Sequence, residues 1–394
     1  MARILVGSWM VRYPLGGNLS WTLQWLVGFH RLGHEVYLLE KAGAPDACFD
    51  PVRNVMSDDC SYGMKAVDEL LCRFGMENRL CYVDEQGCYH GLSKQTVESL
   101  FRSADLFADI GTHGAWMEDA EKTGATMLVD GEPGYTQMKM ESALAAGKTL
   151  PEYDHYFSNG ANIGTPASSA PTAGKNWRPL FNPVVPELFD HADAGAGAPF
   201  TTVMNWQAHE PFQYGGVVYG QKDVEFTNFE DLPTRTAAPL EVAVAGRVPK
   251  ERFAKSGWRL RDAHEVTASF DSYCNYIRRS RGEFSVCKNV FVATQSGWFS
   301  DRSAAYLASG RPVVLQDTGF SAHLPCGRGL FAVRNVEEAA DAINEIESDY
   351  ESHSRWAREI AAEHLDARKI LGGLLKNLGI GDGATRRLVG SGLA

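Results

Sequence analysis

Residues 300–319 have the sequence SDRSAAYLASGRPVVLQDTG, and this stretch decides the fold. Ser300 is a residue type that caps helices well, and Gly310 is the type that ends them. Arg311-Pro-Val-Val-Leu315 then predicts a buried strand. A helix that leads directly into a short apolar strand is half of a β-α-β unit, so we expect a parallel sheet here.

The same alternation extends towards both ends of the chain. Residues 3–7 predict a strand, and Leu19, Leu23, Leu26 and Val27 place one apolar face on a helix over 19–32. Further strands are expected at 35–40, 80–83, 104–110, 125–130, 154–158, 201–206, 240–246 and 289–293, and helices at 93–102, 115–122, 269–280, 300–309 and within 335–378. Repeated β-α-β units build parallel sheets by right-handed crossover.

A chain of 394 residues exceeds what one hydrophobic core usually serves. Residues 160–200 are rich in Gly, Pro, Ala and Ser, which predicts a linker or a domain edge. We therefore expect an α/β protein with an N-terminal Rossmann-like domain over 1–185, a second over 186–360, and a C-terminal helix over 361–394 that packs back towards the first.

Composition narrows the functional classes. A net charge of −11 opposes a broad, non-specific grip on nucleic acid or on anionic lipid. The chain contains no apolar run near the ~18 residues that a spanning helix needs, and its first residues lack a signal peptide, which predicts a cytoplasmic protein. Its eight cysteines include no C-x-x-C pair, as expected for reduced thiols with a packing role.

Two loops before helices are candidate binding sites. The first, Ser8 to Asn18, carries Gly16, Gly17 and Asn18, where paired glycines would let the backbone approach an acceptor closely. It matches neither G-x-G-x-x-G nor a nucleotide P-loop, and a tight turn without a ligand is the alternative.

The second loop, Gln295 to Ser303, contains Gly297 and Trp298 and ends at the cap Ser300. Free N–H groups at such a helix start attract a diphosphate, and Arg302 offers a planar set of donors that matches phosphate oxygens. An ordinary cap with a surface ion pair between Asp301 and Arg302 is the alternative.

The run over 300–319 resembles the donor-binding helix and following strand of GT-B glycosyltransferases. A predicted strand, the loop with Gly16 and Gly17, and a helix that ends in Phe29-His-Arg-Leu-Gly-His-Glu-Val36 are together similar to the way that this superfamily begins. The resemblance implies two Rossmann-like domains whose parallel sheets face each other across a cleft, with the acceptor bound by the first and a nucleotide sugar by the second. It implies no metal and no cofactor, because helix dipoles and side chains take the place of a cation.

The sequence departs from that pattern at the expected ribose contact. Ala305 stands where many such enzymes carry Glu, and Gly297 stands where a second acidic residue would lie. Asp301, Asp317 and Glu283 are the candidate substitutes, and the identity of the nucleotide stays open.

Glycosyl transfer needs cations for the departing diphosphate and a base for the acceptor proton. Lys222 and Arg279 are the candidate cations, although either could be an ordinary solvated side chain. Asp130, Glu132 and His113 are the candidate bases, because they follow predicted strands; a polar turn and a satisfied histidine are the alternatives. The donor-binding candidates are Lys222, Arg279, Glu283, Gly297, Trp298, Ser300, Asp301, Arg302 and Asp317.

The leading hypothesis is transfer of a sugar from a nucleotide-diphosphate donor to a small soluble acceptor, such as a secondary metabolite. The first alternative is a nucleotide-sugar 2-epimerase of the same fold. The second is a non-catalytic nucleotide-binding protein. The expected partners are the nucleotide sugar and a small-molecule acceptor, without a membrane; nucleic acid is disfavoured by the net charge, and a homodimer stays open.

Overall fold

The computed structural model describes residues 1–189, 195, 197–208 and 210–381. The strands are β1 (Arg3–Gly7), β2 (Glu35–Lys41), β3 (Cys48–Asp50), β4 (Val55–Ser57), β5 (Leu80–Val83), β6 (Tyr89–Gly91), β7 (Leu106–Asp109), β8 (Thr126–Asp130), β9 (His155–Ser158), β10 (Trp177–Pro179), β11 (Phe200–Asn205), β12 (Phe212–Tyr214), β13 (Val217–Tyr219), β14 (Leu240–Ala245), β15 (Arg259–Asp262), β16 (Gly282–Ser285), β17 (Val313–Gln316) and β18 (Leu330–Val333). The helices are α1 (Gly16–Arg31), α2 (Ser61–Cys72), α3 (Lys94–Ser103), α4 (Met117–Ala120), α5 (Tyr135–Ala145), α6 (Lys222–Phe226), α7 (Lys250–Lys255), α8 (Ala263–Thr267), α9 (Phe270–Arg279), α10 (Asn289–Ala293), α11 (Asp301–Ala308), α12 (Val336–Ser348), α13 (Tyr350–Ile360) and α14 (Ala367–Asn377), with a π-helical turn at Ala361–Leu365.

The strands form two large sheets. The first has eight strands in the order β10-β9-β8-β7-β1-β2-β5-β6, and only β6 pairs antiparallel within it. The second has six parallel strands in the order β15-β14-β11-β16-β17-β18. We call the part of the chain that carries the first sheet (3–179) the N-terminal lobe, and the part that carries the second (200–333) the C-terminal lobe.

The second sheet has the doubly wound order 3-2-1-4-5-6, counted along the chain. The parallel strands of the first sheet follow the same order with one further strand, β10, at the edge beyond β9. The order reverses beside β1 in the first sheet and beside β11 in the second. Ligands of such sheets bind outside the carboxyl ends of the strands at this reversal. The α/β class and the two Rossmann-like sheets predicted from the sequence are thus confirmed, and the topology points to the loops after β1, β7, β11 and β16.

The prediction of a strand over residues 289–293 is wrong, and the strand of this unit lies earlier in the chain, where it includes Glu283. Residues 289–293 form the short helix α10, and the strand of this unit is β16. A five-residue apolar run fits a buried helical turn as well as a strand, so periodicity alone does not separate them. Every residue of β16 is buried even though it includes Glu283, which the sequence had suggested for a loop.

The predicted linker is in part a folded segment that joins the lobes. Residues 177–179 form the edge strand β10. Further along, Val184 N donates to Leu365 O at 2.8 Å, and Ala367 N donates to Val184 O at 2.7 Å. The linker prediction also covers residues 190–194 and 196, which lie outside the described residues.

Helix α14 returns the chain to the N-terminal lobe. A Cβ atom on Gly28 of α1 would lie 2.6 Å from Leu371 Cδ1 of α14, so the two helices are in close contact. Asp366 caps α14 by accepting from Arg368 N at 2.7 Å. The prediction of a C-terminal helix extended to residue 394, and its part from 382 onwards lies outside the described residues. No helix in the described part of the chain has the length and apolar character that crossing a bilayer demands.

The two glycines that begin α1 differ in their surroundings. A Cβ atom on Gly16 would lie 2.4 Å from Ser269 O and 2.5 Å from Tyr273 Cβ, both in the C-terminal lobe. On Gly17 the nearest atom would be Tyr273 Cε2, at 3.8 Å. Asn18 donates through Nδ2 to Trp9 O at 2.6 Å and to Tyr13 O at 2.9 Å. The structure thus gives Gly16 a role in lobe packing and Asn18 a role in holding the preceding loop, while acceptor binding by Gly16, Gly17 and Asn18 stays a prediction.

We predict that Gly16→Ala lowers the free energy of unfolding by about 1–3 kcal/mol, because the methyl group overpacks the joint between the lobes. Gly17→Ala is the matched control, and its higher helix propensity is expected to leave stability unchanged or slightly increased. Urea unfolding of both variants measures the difference. Equal stability of the two variants would contradict this account of the joint.

Candidate functional site

Three cationic side chains lie close together at the carboxyl edge of the C-terminal sheet. Lys222 begins α6, in the connection that follows β11. Lys288 precedes α10, in the connection that follows β16. Arg302 lies in the first turn of α11. Strands β11 and β16 flank the reversal of strand order, so the cations surround the position where this topology binds ligands.

Arg302 is held by the C-terminal lobe itself. Its Nε donates to Glu283 Oε1 at 2.5 Å, its Nη2 to Ser285 Oγ at 2.6 Å, and its Nη1 to Val203 O at 2.9 Å. Glu283 is 0% exposed and Arg302 is 9% exposed. Their roles are corrected accordingly: Glu283 is the buried counter-ion of Arg302, and the guanidinium fixes the start of α11 while adding positive charge to the site.

Lys222 is the unusual member of the cluster. The side chain is only 8% exposed, and no described residue accepts a hydrogen bond from its Nζ or forms an ion pair with it. Burial lowers the pKa of Lys222 to about 7, and the charges of Arg302 and Lys288 act in the same direction. A buried ammonium without a partner is costly, and an anion at this position would remove most of that cost.

Lys288 connects the two lobes. Its Nζ lies 2.6 Å from Glu132 Oε2, in the loop after β8 of the N-terminal lobe. The Lys288 side chain is 14% exposed and that of Glu132 is 40% exposed. This ion pair brings a predicted base next to the cation cluster. Lys288 was not among the residues that the sequence predicted, because its surroundings were taken for a strand.

Asp130 has a different position from the one expected. It is 0% exposed and accepts from Glu132 N at 2.8 Å, Gln137 Nε2 at 2.7 Å and Ser158 Oγ at 2.8 Å. Burial raises its pKa, against the hydrogen bonds that lower it. The prediction that Asp130 faces the cleft as a base is therefore corrected: its carboxylate orients the loop that presents Glu132.

The loop after β7 is built in a similar way. Asp109 is 0% exposed and accepts from the backbone N–H groups of Thr112 at 2.7 Å, His113 at 3.1 Å and Gly114 at 2.8 Å. His113 has a φ of +48° and an exposed side chain. Its candidate role as a base stays a prediction, and its position at the end of a strand next to β8 is compatible with that role.

The loop before α11 is occupied by contacts between the lobes. Gly297 has a φ of +75°, and a Cβ atom there would lie 2.7 Å from Asn162 N. Trp298 pairs with Gly160 in an antiparallel bridge and packs against Phe291 with ring centroids 4.7 Å apart. Gly297 and Trp298 therefore join the lobes, and their contact with the donor stays a prediction.

Three further predicted donor residues lie in different places. Ser300 caps α11 as expected, accepting from Arg302 N at 3.2 Å. Asp317 shapes its own loop, accepting from Gly319 N at 2.9 Å and from Ser321 Oγ at 2.7 Å. Arg279 is exposed at the last residue of α9, just before β16 begins, so it lies at the amino edge of the sheet and away from the cation cluster.

Asp301 occupies the first turn of α11. Burial raises the pKa of its carboxyl group, and the positive charge of Arg302 lowers it. Among the predicted donor residues, the structure thus brings Lys222, Ser300, Asp301 and Arg302 together.

An aromatic cluster lies on the N-terminal side of the site. Trp9 contacts Tyr13 edge-on with ring centroids 5.6 Å apart, and Trp21 at 6.3 Å. A Cβ atom on Gly131, the residue before Glu132, would lie 3.8 Å from Trp21 Cζ2. The three rings are partly exposed. The sequence analysis missed this cluster, although two of its rings lie in the Ser8–Asn18 loop that had been singled out for its glycines.

A cavity of about 310 Å³ lies at the carboxyl ends of β14 and β15. Gly246, Lys250, Asp262 and His264 are among its lining residues. His264 also contacts Phe49 of the N-terminal lobe, with ring centroids 5.6 Å apart. The cavity thus belongs to the same sheet edge as the cation cluster and lies where the lobes meet.

Within the described ranges, no group of three or more His, Cys, Asp and Glu side chains is arranged to hold a metal ion.

Solved structures share this architecture, whereas no family model and no curated protein matches the chain. An α-glucosyltransferase in complex with UDP and a 13-mer DNA containing an HMU base has a TM-score of 0.58 at 12% identity, over 96% of this chain and 99% of that chain. HepE of Anabaena, in complex with UDP-glucose, has a TM-score of 0.58 at 12% identity, over 96% and 100%. A glycosyltransferase of Rickettsia africae has a TM-score of 0.53 at 12% identity, over 95% and 97%. At this identity the likeness establishes the fold, and the GT-B resemblance found in residues 300–319 is confirmed at that level.

We predict that Lys222→Met raises the free energy of unfolding at pH 7 by on the order of 2 kcal/mol, because it removes a buried charge without a partner. The pKa of Lys222 is about 7 in the folded chain and 10.5 in the reference state. Between these values the unfolded chain binds more protons, so the wild type gains stability as the pH rises. The advantage of the variant is therefore expected to shrink between pH 7 and pH 10.

Urea unfolding at several pH values measures this effect. Lys65→Met is the matched control, because the Lys65 side chain is 76% exposed and its removal is expected to change stability little. A Lys222→Met protein that is less stable than the wild type at pH 7 would show that the ammonium has a stabilising partner.

Proposed function

We propose that this protein is a glycosyltransferase that moves a sugar from a nucleotide-diphosphate donor to a small acceptor. The observation that carries the proposal is Lys222, whose side chain is only 8% exposed and has no hydrogen-bond or ion-pair partner among the described residues, at the strand-order reversal of the C-terminal sheet. Departure of a nucleoside diphosphate develops negative charge, and cations fixed in a site of low polarity stabilise it strongly. The fold shared with UDP-bound and UDP-glucose-bound glycosyltransferases supports the same conclusion.

In this proposal the diphosphate lies against Lys222 and Lys288 at the start of α11. Arg302 adds positive charge from the first turn of α11, where Glu283 and Ser285 hold its guanidinium in place. The cavity of about 310 Å³ at the ends of β14 and β15 is the proposed site of the nucleoside. Metal independence stays a prediction of the proposal, in which side chains take the place of a cation.

The N-terminal lobe supplies the acceptor side. Glu132 is the proposed base, because its carboxylate is partly exposed beside the cation cluster. His113 is the second candidate, on the neighbouring strand end. The partly exposed rings of Trp9, Tyr13 and Trp21 offer flat apolar faces, and such faces suit the ring of a sugar or of an aromatic acceptor.

The alternatives have less support. The solved neighbours are glycosyltransferases, which does not favour the 2-epimerase. In a purely nucleotide-binding protein, Glu132 would serve only as the ion-pair partner of Lys288, and sugar transfer would not be detected. DNA is a second candidate acceptor, because the α-glucosyltransferase of the same fold binds DNA; the net charge of −11 favours the small acceptor.

We predict that a nucleoside diphosphate binds and that its affinity falls as the pH rises above 7. The free protein holds Lys222 with a pKa of about 7, and a bound anion raises that pKa, so binding above pH 7 takes up a proton. The dissociation constant is expected to rise by up to about tenfold per pH unit. Calorimetric titration with uridine, thymidine, guanosine, adenosine and cytidine diphosphates, in two buffers of different ionisation enthalpy, measures affinity and proton uptake together.

Lys222→Met is expected to abolish both the proton uptake and most of the affinity, and Lys65→Met is expected to change neither. If none of the five diphosphates binds the wild type, the proposed donor site is wrong.

We predict that Trp9→Ala raises the KM for the acceptor about tenfold, because stacking on an aromatic face contributes about 1 kcal/mol or more. The KM for the donor is expected to stay within twofold. Transfer is measured with a panel of methyl glycosides and phenols, and with a DNA duplex that carries a hydroxymethylated base. Trp356→Ala, at a partly exposed ring in α13, is the control. Transfer to the duplex alone would replace the small acceptor by DNA.

A further inference from the structure

We propose that Glu132 and the donor diphosphate compete for Lys288, so that donor binding releases the Glu132 carboxylate to act as the base. This inference rests on the proposed function and extends it to the order of events. Without donor, Glu132 neutralises Lys288; with donor, the diphosphate does so.

The geometry supports an exchange at Lys288 and not at Arg302. Arg302 makes three hydrogen bonds to its own lobe, and its counter-ion Glu283 is 0% exposed. Glu132 is the one ion-pair partner of Lys288 among the described residues, and the Glu132 side chain is 40% exposed. A partly solvated carboxylate loses its partner at a much lower cost than a buried one, because water replaces the lost contacts. The Glu132–Lys288 pair is therefore the one that can open.

The charges also favour the exchange. Lys222, Lys288 and Arg302 form a cluster in which Arg302 is neutralised by Glu283 and Lys288 by Glu132, while Lys222 has no partner. A diphosphate at Lys222 carries more than one negative charge, and Lys288 is the neighbouring cation whose counter-ion is partly exposed. As Lys288 turns to the diphosphate, the carboxylate of Glu132 is left beside a new anion.

This change makes Glu132 available as a base at the stage when it is needed. While the Glu132 carboxylate is bonded to Lys288, its oxygens are occupied, and loss of that contact frees them to accept a hydrogen bond from the acceptor hydroxyl. The acceptor O–H then gives its proton to Glu132 as the acceptor oxygen bonds to the anomeric carbon. The bond from that carbon to the phosphate oxygen breaks, and its electron pair leaves with the diphosphate. An acceptor bound without donor meets a base that is still engaged by Lys288.

The test is a double-mutant cycle read out as the dissociation constant of the nucleoside diphosphate that the wild type binds most tightly. Glu132→Gln is expected to lower this constant about 3- to 10-fold, because the competitor for Lys288 is removed while the shape is kept. Lys288→Met is expected to raise it about tenfold or more. In the Lys288→Met background, Glu132→Gln is expected to change it by less than about twofold.

The cycle separates competition from a general effect of charge. If Glu132 merely repels the diphosphate, Glu132→Gln tightens binding equally in both backgrounds, and the inference is overturned. Asp271→Asn is the matched control, because Asp271 forms another pair between the lobes, with Arg73 at 2.9 Å, away from the cluster. This variant is expected to bind the nucleotide as the wild type does. Circular dichroism and thermal melting verify that each variant is folded.

The outcomes for the two proposals are distinguishable. Binding by the wild type, together with unchanged or weaker binding by Glu132→Gln, would overturn the competition and leave the proposed donor site standing. Absence of binding to the wild type would overturn the proposed function and this inference with it.

Discussion

The site depends on positive charge that is buried where the two lobes meet. Lys222, Lys288 and Arg302 converge from connections on both sides of the strand-order reversal, and two carboxylates neutralise only part of their charge. Arg302 is retained at low exposure because Glu283 sits inside a fully buried strand. In the part of the chain that the structure describes, Lys222 has no such partner. The remaining charge explains why one carboxylate of the other lobe reaches across to Lys288.

In the N-terminal lobe, buried carboxylates at or near strand ends hold the neighbouring loops in one conformation. Glu40, the residue before the last of β2, accepts from Met10 N and Val11 N at 2.7 Å each, and from Arg12 N at 2.9 Å, and so holds the loop after β1. Asp109 and Asp130 do the same for the loops after β7 and β8. A carboxylate that accepts several N–H groups offsets much of its burial cost and holds the loop in one conformation. These three residues therefore act as positioning groups, and the side chains that face the site come from the loops that they hold.

The sequence was sufficient for the fold and only partly sufficient for the site. The helix and strand over 300–319 and the alternation around them carried the doubly wound class, because periodicity and capping are local properties. Residues 289–293 were assigned to a strand because a short apolar segment fits a strand as well as a helix. Lys288, which precedes this segment, was for that reason not predicted as a site residue. Gly16 and Trp298 were assigned to ligands, and the structure places both at the joint between the lobes. Contacts between residues more than a hundred positions apart leave no local pattern, so only the folded chain could show them.

The exposure of Lys222 also bears on the kind of anion that the site can take. A side chain that is 8% exposed cannot lie along the backbone of a duplex, whose phosphates are spread over an extended surface. It can meet a phosphate group that enters the cleft as part of a small molecule. Under the proposed function, a DNA acceptor would therefore contact the N-terminal lobe and the rim of the cleft, and Lys222 would contact the donor. The positive charge of the mostly buried Lys222 thus favours binding of a diphosphate group of a small molecule over binding of a nucleic-acid backbone at the centre of the site.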